Sequence, residues 1–293
     1  MESRRKGYLC AGAVMTLAIF CTLSGGRPPV TVPMKGAALR HHGPVRIRQQ
    51  RADGSYESDN WSGYAVTNSK GSVSNARAEW VVPSANCFGN SNGATSGYSA
   101  FWTGIDGFNS NSVEQVGTDS DCVSPNGAPN SATYYAWFEF YPQPAFYIGN
   151  PSNNFDEYPV KPGDLMLADI SSADGNVRGT RFTVTITNQT RGWNFNATAT
   201  VPPALQTSAE WIAEAPASGS TGNILPLANF GLVDFTNATA TVGGVTGTIG
   251  SFGTNVQNIT MVTQGTPTLI KAQPSALSAD GSGFTVAWLH PGP

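Results

Sequence analysis

The chain has 293 residues, of which 12% are charged and 40% hydrophobic, and its formal net charge is −3. It is long enough for one large core or for two domains. Glycine alone contributes 33 residues, and such a composition is typical of many short strands joined by turns rather than of helices. Most of the chain is acidic, which excludes nucleic acid as a partner because its phosphates would be repelled.

The N-terminal residues 1–24 predict a secretory signal peptide. Basic residues at positions 4–6 are followed by an apolar run from Tyr8 to Leu23 and then by Ser-Gly-Gly. This order of regions is typical of export signals, and the apolar run is short for a membrane span. We therefore expect a secreted, extracellular protein with no membrane attachment after cleavage; a retained anchor is the alternative.

Cleavage of the signal would remove Cys10 and Cys21 and leave Cys87 and Cys122. In an oxidising compartment, a single remaining pair predicts one disulfide. Two buried free thiols are the alternative.

Charge is divided sharply along the chain. Residues 25–55 hold six basic residues and one acidic residue, whereas residues 56–293 hold seven basic and seventeen acidic residues, a net charge of −10. Because the two parts attract each other, we expect residues 25–57 to be a prosegment that covers and blocks an acidic cleft until it is cut off. A solvated linker or a wall-binding arm is the alternative. The folded domain is expected over residues 58–293, beginning at Asn60–Val66.

Segments of alternating apolar and polar residues, separated by turn residues, predict the strands that follow. They are Ala76–Val82, Ala100–Ile105, Val113–Thr118, Thr133–Tyr141, Asp164–Ile170, Arg181–Thr187, Ala197–Val201, Ala209–Glu214, Leu232–Phe235, Met261–Thr263 and Gly283–Trp288. Their spacing indicates an all-β sandwich. Apart from a possible helical turn over Asn223–Asn229, no helix is predicted.

The strand within Ser208–Pro216 places two acids on one face. Glu210 and Glu214 alternate with Trp211, so both carboxyls point away from that indole. In a chain so poor in charge, this pair indicates a site where the surroundings keep one acid partly protonated. An ordinary solvent-facing strand is the alternative.

Elimination narrows the possible chemistry. After processing, the remaining histidine is His290, close to the end of the printed sequence, so serine and cysteine triads lose their base and a histidine-ligated metal site is not expected. The sequence has no phosphate-binding loop and no cofactor fingerprint. We therefore expect neither a cofactor nor a metal, and an enzyme of this kind must use carboxylates and amides.

Three further predicted strands carry polar and aromatic side chains in the same alternation. Each of them alone would be explained by sheet packing. Their residues are Trp102 and Asp106 in the first, Gln115 and Asp119 in the second, and Trp137, Glu139 and Tyr141 in the third.

Together these motifs resemble the glutamic peptidases, or eqolisins. NWSGY, FWTGIDG, EQVGTD, YAWFEFYP, SAEWIAE with the following LANFG, and AQPSALSADGSGFTVAW occur in the order of that family, from Asn60 to Trp288. The resemblance covers essentially the whole folded domain. It implies a β-sandwich of two curved antiparallel sheets, of the concanavalin-like or jelly-roll type, and a monomeric, pepstatin-insensitive endopeptidase that cleaves polypeptides at acid pH and is made as a zymogen.

The resemblance also implies roles for individual residues. The catalytic amide of its Q-x-G-x-D motif falls on Gln115, and the catalytic acid falls on Glu214. Tyr135 and Pro216 depart from the family pattern, so we expect differences in the local proton network and in the primed-side pocket. The residues expected to line or support the cleft are Trp61, Trp102, Asp106, Asp119, Trp137, Glu139, Tyr141 and Glu210.

Two other functions fit part of the pattern. A glycoside hydrolase could use Glu139 and Glu214 as paired carboxylates, with the tryptophans stacking on sugars. A secreted carbohydrate-binding sandwich would use the same tryptophans without catalysis. Gln115 discriminates between the enzymes, because a glycosidase needs two acids across the cleft and the peptidase needs one acid and one amide.

Overall fold

The computed structural model describes residues 32–33, 40–87, 96–123, 131–149, 157–172, 181–202 and 204–292. The predicted signal peptide lies outside these residues. In the described ranges no helix has the length and apolar character needed to cross a membrane. The strands are β1 (Val32–Pro33), β2 (Arg40–His41), β3 (Ile47–Gln50), β4 (Tyr56–Ser58), β5 (Trp61–Thr67), β6 (Val73–Val81), β7 (Ala100–Ile105), β8 (Val113–Val123), β9 (Ser131–Tyr141), β10 (Phe146–Tyr147), β11 (Leu165–Ser172), β12 (Arg181–Asn188), β13 (Trp193–Thr200), β14 (Ser208–Glu214), β15 (Ala217–Ser218), β16 (Leu232–Val242), β17 (Val245–Thr248), β18 (Val256–Val262), β19 (Ile270–Pro274) and β20 (Phe284–Trp288).

Most of these strands form two antiparallel layers. The first layer runs β18-β5-β14-β7-β8-β9-β10. The second runs β13-β12-β11-β6-β16-β20-β19. Strand β18 pairs with both β5 and β19 and so joins the layers. The predicted all-β antiparallel sandwich is confirmed.

The main core lies between the layers. Trp211 points into it from β14, and its indole Nε1 donates a hydrogen bond of 2.8 Å to the Arg77 carbonyl on β6. Trp80 points in from β6 and donates from Nε1 to Thr118 Oγ1 on β8 at 3.0 Å. Each bond satisfies an indole N–H that burial would otherwise leave unpaired, and each one ties one layer to the other.

The outer face of the first layer carries a second buried cluster, which we call the site face. It contains Trp61, Trp102, Trp137 and Ile212. On β14, Ile212 belongs to this cluster whereas Trp211 belongs to the main core. The alternation predicted for this strand is therefore confirmed, and both of its glutamates share the site face.

Residues 40–46, which we call the covering segment, pack over the site face. Val45 packs against the second cluster. Beyond this segment, β3 pairs with β4, and β4 runs parallel to β18. The last third of the expected prosegment is thus part of the sheet, because its short strands β3 and β4 extend the sheet beyond β18.

All of the strands predicted from Ala76 onward are found; most of their ends differ by a few residues, and the strand predicted at Leu232–Phe235 continues to Val242. The helical turn predicted at Asn223–Asn229 is wrong, because Ile224 and Leu227 there form isolated β-bridges. A 3-10 helix at Ile249–Asn255 was not predicted, since its glycines and its threonine are weak helix formers.

Candidate active site

Neighbouring strands of the first layer bring the predicted residues onto one face. Gln115 on β8 lies directly opposite Glu139 on β9, while Ala100 on β7 lies opposite both Glu214 on β14 and Asp119 on β8. Directly paired residues point to the same side of a sheet. The amide and the three carboxyls therefore share the site face, although they are far apart in sequence.

Gly117, the glycine of the Q-x-G-x-D motif, allows this close approach. A Cβ at this position would lie 2.3 Å from the Phe101 carbonyl oxygen and 2.6 Å from the Trp102 Cβ. Any other residue would push β8 away from β7. The glycine is required here by contact between strands rather than by a turn.

The Glu214 carboxyl is buried beneath the covering segment. Its Oε2 accepts a hydrogen bond of 2.8 Å from Trp102 Nε1 and lies 3.3 Å from His42 Nδ1. Its Oε1 is buried, and a hydrogen bond from the Trp61 side chain to this carboxyl favours its charged form. Burial raises the pKa of Glu214 well above its usual value, and the nearby carboxyls of Glu139 and Asp119 act in the same direction. This arrangement favours the neutral acid while the segment is in place.

The Gln115 side chain meets the same histidine from another direction. Its Nε2 donates a hydrogen bond to the carbonyl oxygen of His42. Its Oε1, also buried, has no partner within the described ranges. A neutral amide can donate in this way at any pH. Gln115 and Glu214 thus both contact His42 of the covering segment, Gln115 at its backbone carbonyl and Glu214 at its imidazole.

An acidic pair binds the first residue of that segment. The Arg40 guanidinium donates to Asp121 and, at 3.2 Å, to Asp119. The Tyr135 hydroxyl lies 2.7 Å from Asp119 and 2.6 Å from Asp121, and it can donate its one proton to either of them. Burial, followed by the neighbouring Asp121, raises the pKa of Asp119 to about 8, while Arg40 opposes the shift. One cation facing two buried carboxyls keeps one of them protonated.

Glu139 binds both histidines of the covering segment, His41 and His42. Its Oε1 lies 2.8 Å from His41 Nδ1, and its Oε2 accepts a hydrogen bond of 2.8 Å from the backbone N–H of His42. The His42 ring stacks on Trp137 with centroids 3.6 Å apart. His41 meets the edge of Tyr141 at 5.9 Å. Burial, then the charges of the neighbouring Arg40 and His41, lower the pKa of His42 well below its usual value.

The other predicted residues lie around this centre. Trp61 packs edge-to-face on Trp102, with ring centroids 4.9 Å apart. Asp106 accepts hydrogen bonds from the backbone N–H groups of residues 205–207 and so fixes a loop rather than touching the covering segment. Glu210 shares the strand and face of Glu214, but the carboxyls that influence its pKa are Asp106 and Glu114. Glu210 therefore lies toward the other end of the site face.

Sequence reasoning missed four residues of the site. Asp121 continues the alternation of Gln115 and Asp119 along β8, so a longer reading of the same pattern would have found it. Arg40, His41 and His42 were predicted only as part of a basic stretch. Their individual partners lie far along the chain, and no local pattern encodes such pairings.

The predicted disulfide is confirmed, with Cys87 Sγ and Cys122 Sγ 1.99 Å apart. It joins the chain after β6 to β8 beside Asp121. Within the described ranges, no cluster of three or more His, Cys, Asp and Glu residues could hold a metal ion.

The sandwich fold and the carboxyl, amide and indole groups on its outer face place this chain in the class of β-sandwich glutamic peptidases. The chain belongs to the peptidase A4 family, which matches residues 59–284. Aspergillopepsin-2 from Aspergillus niger is 30% identical over 207 residues, covering 64% of this chain and 66% of that protein, slightly less than two thirds of its length.

Two solved structures share the fold. Scytalido-glutamic peptidase, crystallised with a transition state analog inhibitor, is 21% identical with a TM-score of 0.60, over 79% of this chain and 98% of that chain. Aspergilloglutamic peptidase from Aspergillus niger is 26% identical with a TM-score of 0.50, over 66% of this chain and 99% of that chain. The resemblance found in the motifs is thus confirmed by family and by fold.

Proposed function

We propose that the chain is a secreted acid endopeptidase in which Gln115 and Glu214 activate a water molecule for peptide hydrolysis. The observation that carries this proposal is the contact of both side chains with one residue of an extended segment: Gln115 binds the backbone carbonyl of His42, and Glu214 lies against its imidazole. Strand β2 of the covering segment pairs antiparallel with β15, and the next carbonyl, that of His42, accepts from Gln115. Strand addition of this kind is a general mode of recognising extended peptides.

The hydrolysis proceeds in two proton transfers. Ionised Glu214 takes a proton from a water held between it and Gln115, and the water oxygen attacks the substrate carbonyl carbon. The Gln115 Nε2 group donates to the oxyanion that develops, where a second carboxylate would repel it. Protonated Glu214 then gives its proton to the departing amine, so one carboxyl serves as base and then as acid.

Acid operation follows from the crowding of carboxyls on the site face. Burial raises the pKa of Asp119, Asp121 and Glu139 as well as that of Glu214. If all four ionised together, their mutual repulsion would disfavour an anionic intermediate beside them. Low pH keeps the supporting carboxyls neutral, whereas removal of the covering segment returns water to Glu214 and allows it to ionise.

The same geometry supports an inhibitory role for the prosegment. Arg40 and His42 are 7% and 2% exposed. Arg40 occupies the acidic pair Asp119 and Asp121, and His42 lies against Glu214, so an external peptide and the covering segment exclude each other. The expected function of the basic stretch is thus to keep the precursor inactive.

The test uses the purified mature protein and a denatured protein substrate between about pH 2 and pH 7, with and without pepstatin. We expect cleavage that is confined to acid pH and unaffected by pepstatin. A panel of polysaccharides is incubated in parallel. Release of reducing sugar without proteolysis would replace the peptidase by the glycoside hydrolase, and tight binding of a glycan without any hydrolysis would indicate the binding module.

A further inference from the structure

We propose that the Asn60 side chain and the Gly107 carbonyl form a backbone clamp for the substrate on the amine side of the cleaved bond. The enzyme would then act on extended polypeptides with at least four residues beyond that bond. This inference rests on the peptidase function proposed above. Gln115 Nε2 donates to the His42 carbonyl oxygen, which stands in for the carbonyl of a substrate bond. Residues 43–46 therefore stand in for the first four substrate residues on the amine side.

Asn60 and Gly107 bind three backbone groups of this stretch. Asn60 Nδ2 donates to the Pro44 carbonyl oxygen at 3.1 Å, and Asn60 Oδ1 accepts from the Arg46 N–H at 2.8 Å. Between them, the Val45 N–H donates to the Gly107 carbonyl oxygen at 3.0 Å. A side-chain amide that binds both a carbonyl and an N–H acts as a neighbouring strand does. Because the three bonds use no side chain of the covering segment, a peptide of another sequence can form them too.

The Asn60 amide is held in the orientation that this role requires. Ser58 Oγ donates to Asn60 Oδ1 at 3.0 Å and accepts from the backbone N–H groups of Asn60 and Trp61 at 3.2 Å and 3.0 Å. Oδ1 therefore faces donors, and Nδ2 is left to face the carbonyl of a bound peptide. Ser58 and Asn60 both belong to the domain predicted over residues 58–293, so they stay when the prosegment is removed.

The Gly107 carbonyl is also held by groups of the folded domain. The φ of Gly107 is +107°, and a Cβ there would lie 2.7 Å from Val113 Cγ2 and 2.8 Å from Trp61 Cη2. Its N–H donates to Ser110 Oγ at 2.8 Å. These contacts leave the residue little freedom. The acceptor for the third substrate residue is thus in place before a substrate arrives.

The clamp lies beside the proposed catalytic acid. Asn60 precedes Trp61, which lies directly opposite Glu214 in the sheet, and the Ala215 N–H donates to the Asn60 carbonyl at 2.9 Å. The sheet therefore fixes the position of the clamp relative to the acid. In the precursor the covering segment fills the clamp. Once that segment is removed, Asn60 and Gly107 lose these partners and a substrate backbone can take their place.

The first test compares two amidated peptides with the same residues before the cut bond and either one or five residues after it. The mature enzyme is used at about pH 4, its N-terminus is sequenced, and cleavage positions are verified by mass spectrometry. We expect kcat/KM to be about 10-fold to 100-fold higher for the five-residue peptide, because it alone supplies the three backbone groups.

Single N-methyl groups on the five-residue peptide provide the matched comparison. Methylation of the third or the fourth residue after the bond removes the N–H that binds Gly107 or Asn60, and kcat/KM should fall by about tenfold. Methylation of the second residue is the control. Pro44 occupies that place in the precursor and has no N–H, so this peptide should be cut as fast as the unmethylated one.

Two variants of Asn60 separate substrate binding from structural damage. Asn60→Ala should slow cleavage of the five-residue peptide about tenfold more than that of the one-residue peptide. In Asn60→Asp, the neutral acid can donate to a carbonyl and the carboxylate cannot. Its activity relative to the parent enzyme should therefore fall as pH rises through about 4. Structural damage would slow both peptides equally at every pH.

The outcomes distinguish this proposal from the proposed function. If the peptides are cut but neither their length nor the site of methylation matters, the clamp is wrong and the peptidase survives. An active enzyme whose N-terminus lies before residue 47 would have the same meaning, because its clamp would still be filled. If no peptide is cut at acid pH, the proposed function fails as well. Should the Asn60 variants not fold, the methylated peptides still decide with the parent enzyme.

Discussion

Replacing Arg40 in a synthetic peptide of residues 36–42 should weaken its inhibition of the mature enzyme strongly. In the precursor, Arg40 is 7% exposed, contacts Asp119 and Asp121, and stacks over Tyr98 at 4.4 Å. Removing one partner of a buried charge pair costs about 3–5 kcal/mol. Because the two aspartates can take up protons at acid pH, we expect a loss near the lower limit. About 3 kcal/mol corresponds to a roughly 100-fold increase in the inhibition constant.

The assay is hydrolysis of an internally quenched peptide at about pH 4 in the presence of increasing inhibitor. Arg40→Met removes the charge and keeps apolar bulk, whereas Arg40→Lys keeps the charge and loses the planar fork. We expect Arg40→Lys to fall between the parent and Arg40→Met. If the Arg40→Met peptide inhibits as well as the parent, the acidic pair does not hold the covering segment and this reasoning is refuted.

Three further predictions concern stability. Replacing Cys87 and Cys122 by serine opens a loop of 35 residues and should lower the free energy of unfolding by about 3–4 kcal/mol in urea titrations; an unchanged midpoint would contradict this. Asp106→Ala leaves three backbone N–H groups of residues 205–207 without their acceptor and should cost about 3 kcal/mol, with Asp106→Asn losing less. The pKa of Asp119 is raised to about 8 from 3.8, so its folded form holds a proton that the unfolded form releases. Its contribution to stability is present at acid pH and is lost as pH rises from about 4 to about 8. The unfolding temperature of a Glu214→Gln precursor should fall between about pH 4 and about pH 8, and adding Asp119→Asn should make this fall shallower. If the unfolding temperature of the double variant falls equally steeply, Asp119 does not titrate in this way.

The strands could be predicted because their burial is one-sided. On β14, for example, Trp211 packs in the core while Ile212 faces outward beneath the covering segment, and such a face pattern is visible in a single segment. To predict that Gln115 and Glu214 share one face, a second kind of information is required, namely the order of motifs that resembles a known family. Each motif is local, and the fold brings the motifs together.

What was not predictable depends on contacts between distant segments. Strand β3 is exposed at every residue, so no apolar alternation marks it, and the charge split together with the motif that begins at Asn60 places the predicted domain boundary after it. The contact of His42 with Glu214 spans 172 positions. It depends on the register of β2 against β15, which two-residue strands do not reveal in their sequence.

The most direct test of the central proposal is kcat/KM for acid proteolysis in three single variants. Glu214→Gln and Gln115→Ala remove the proposed base and the proposed oxyanion donor. Glu114→Gln changes a carboxyl that neighbours Gln115 and is 0% exposed but points to the opposite side of β8. We predict losses of about 1000-fold for the first two variants and a change of less than about tenfold for the third. If a folded Glu214→Gln or Gln115→Ala enzyme keeps activity close to that of the Glu114→Gln control, this pair does not carry the chemistry.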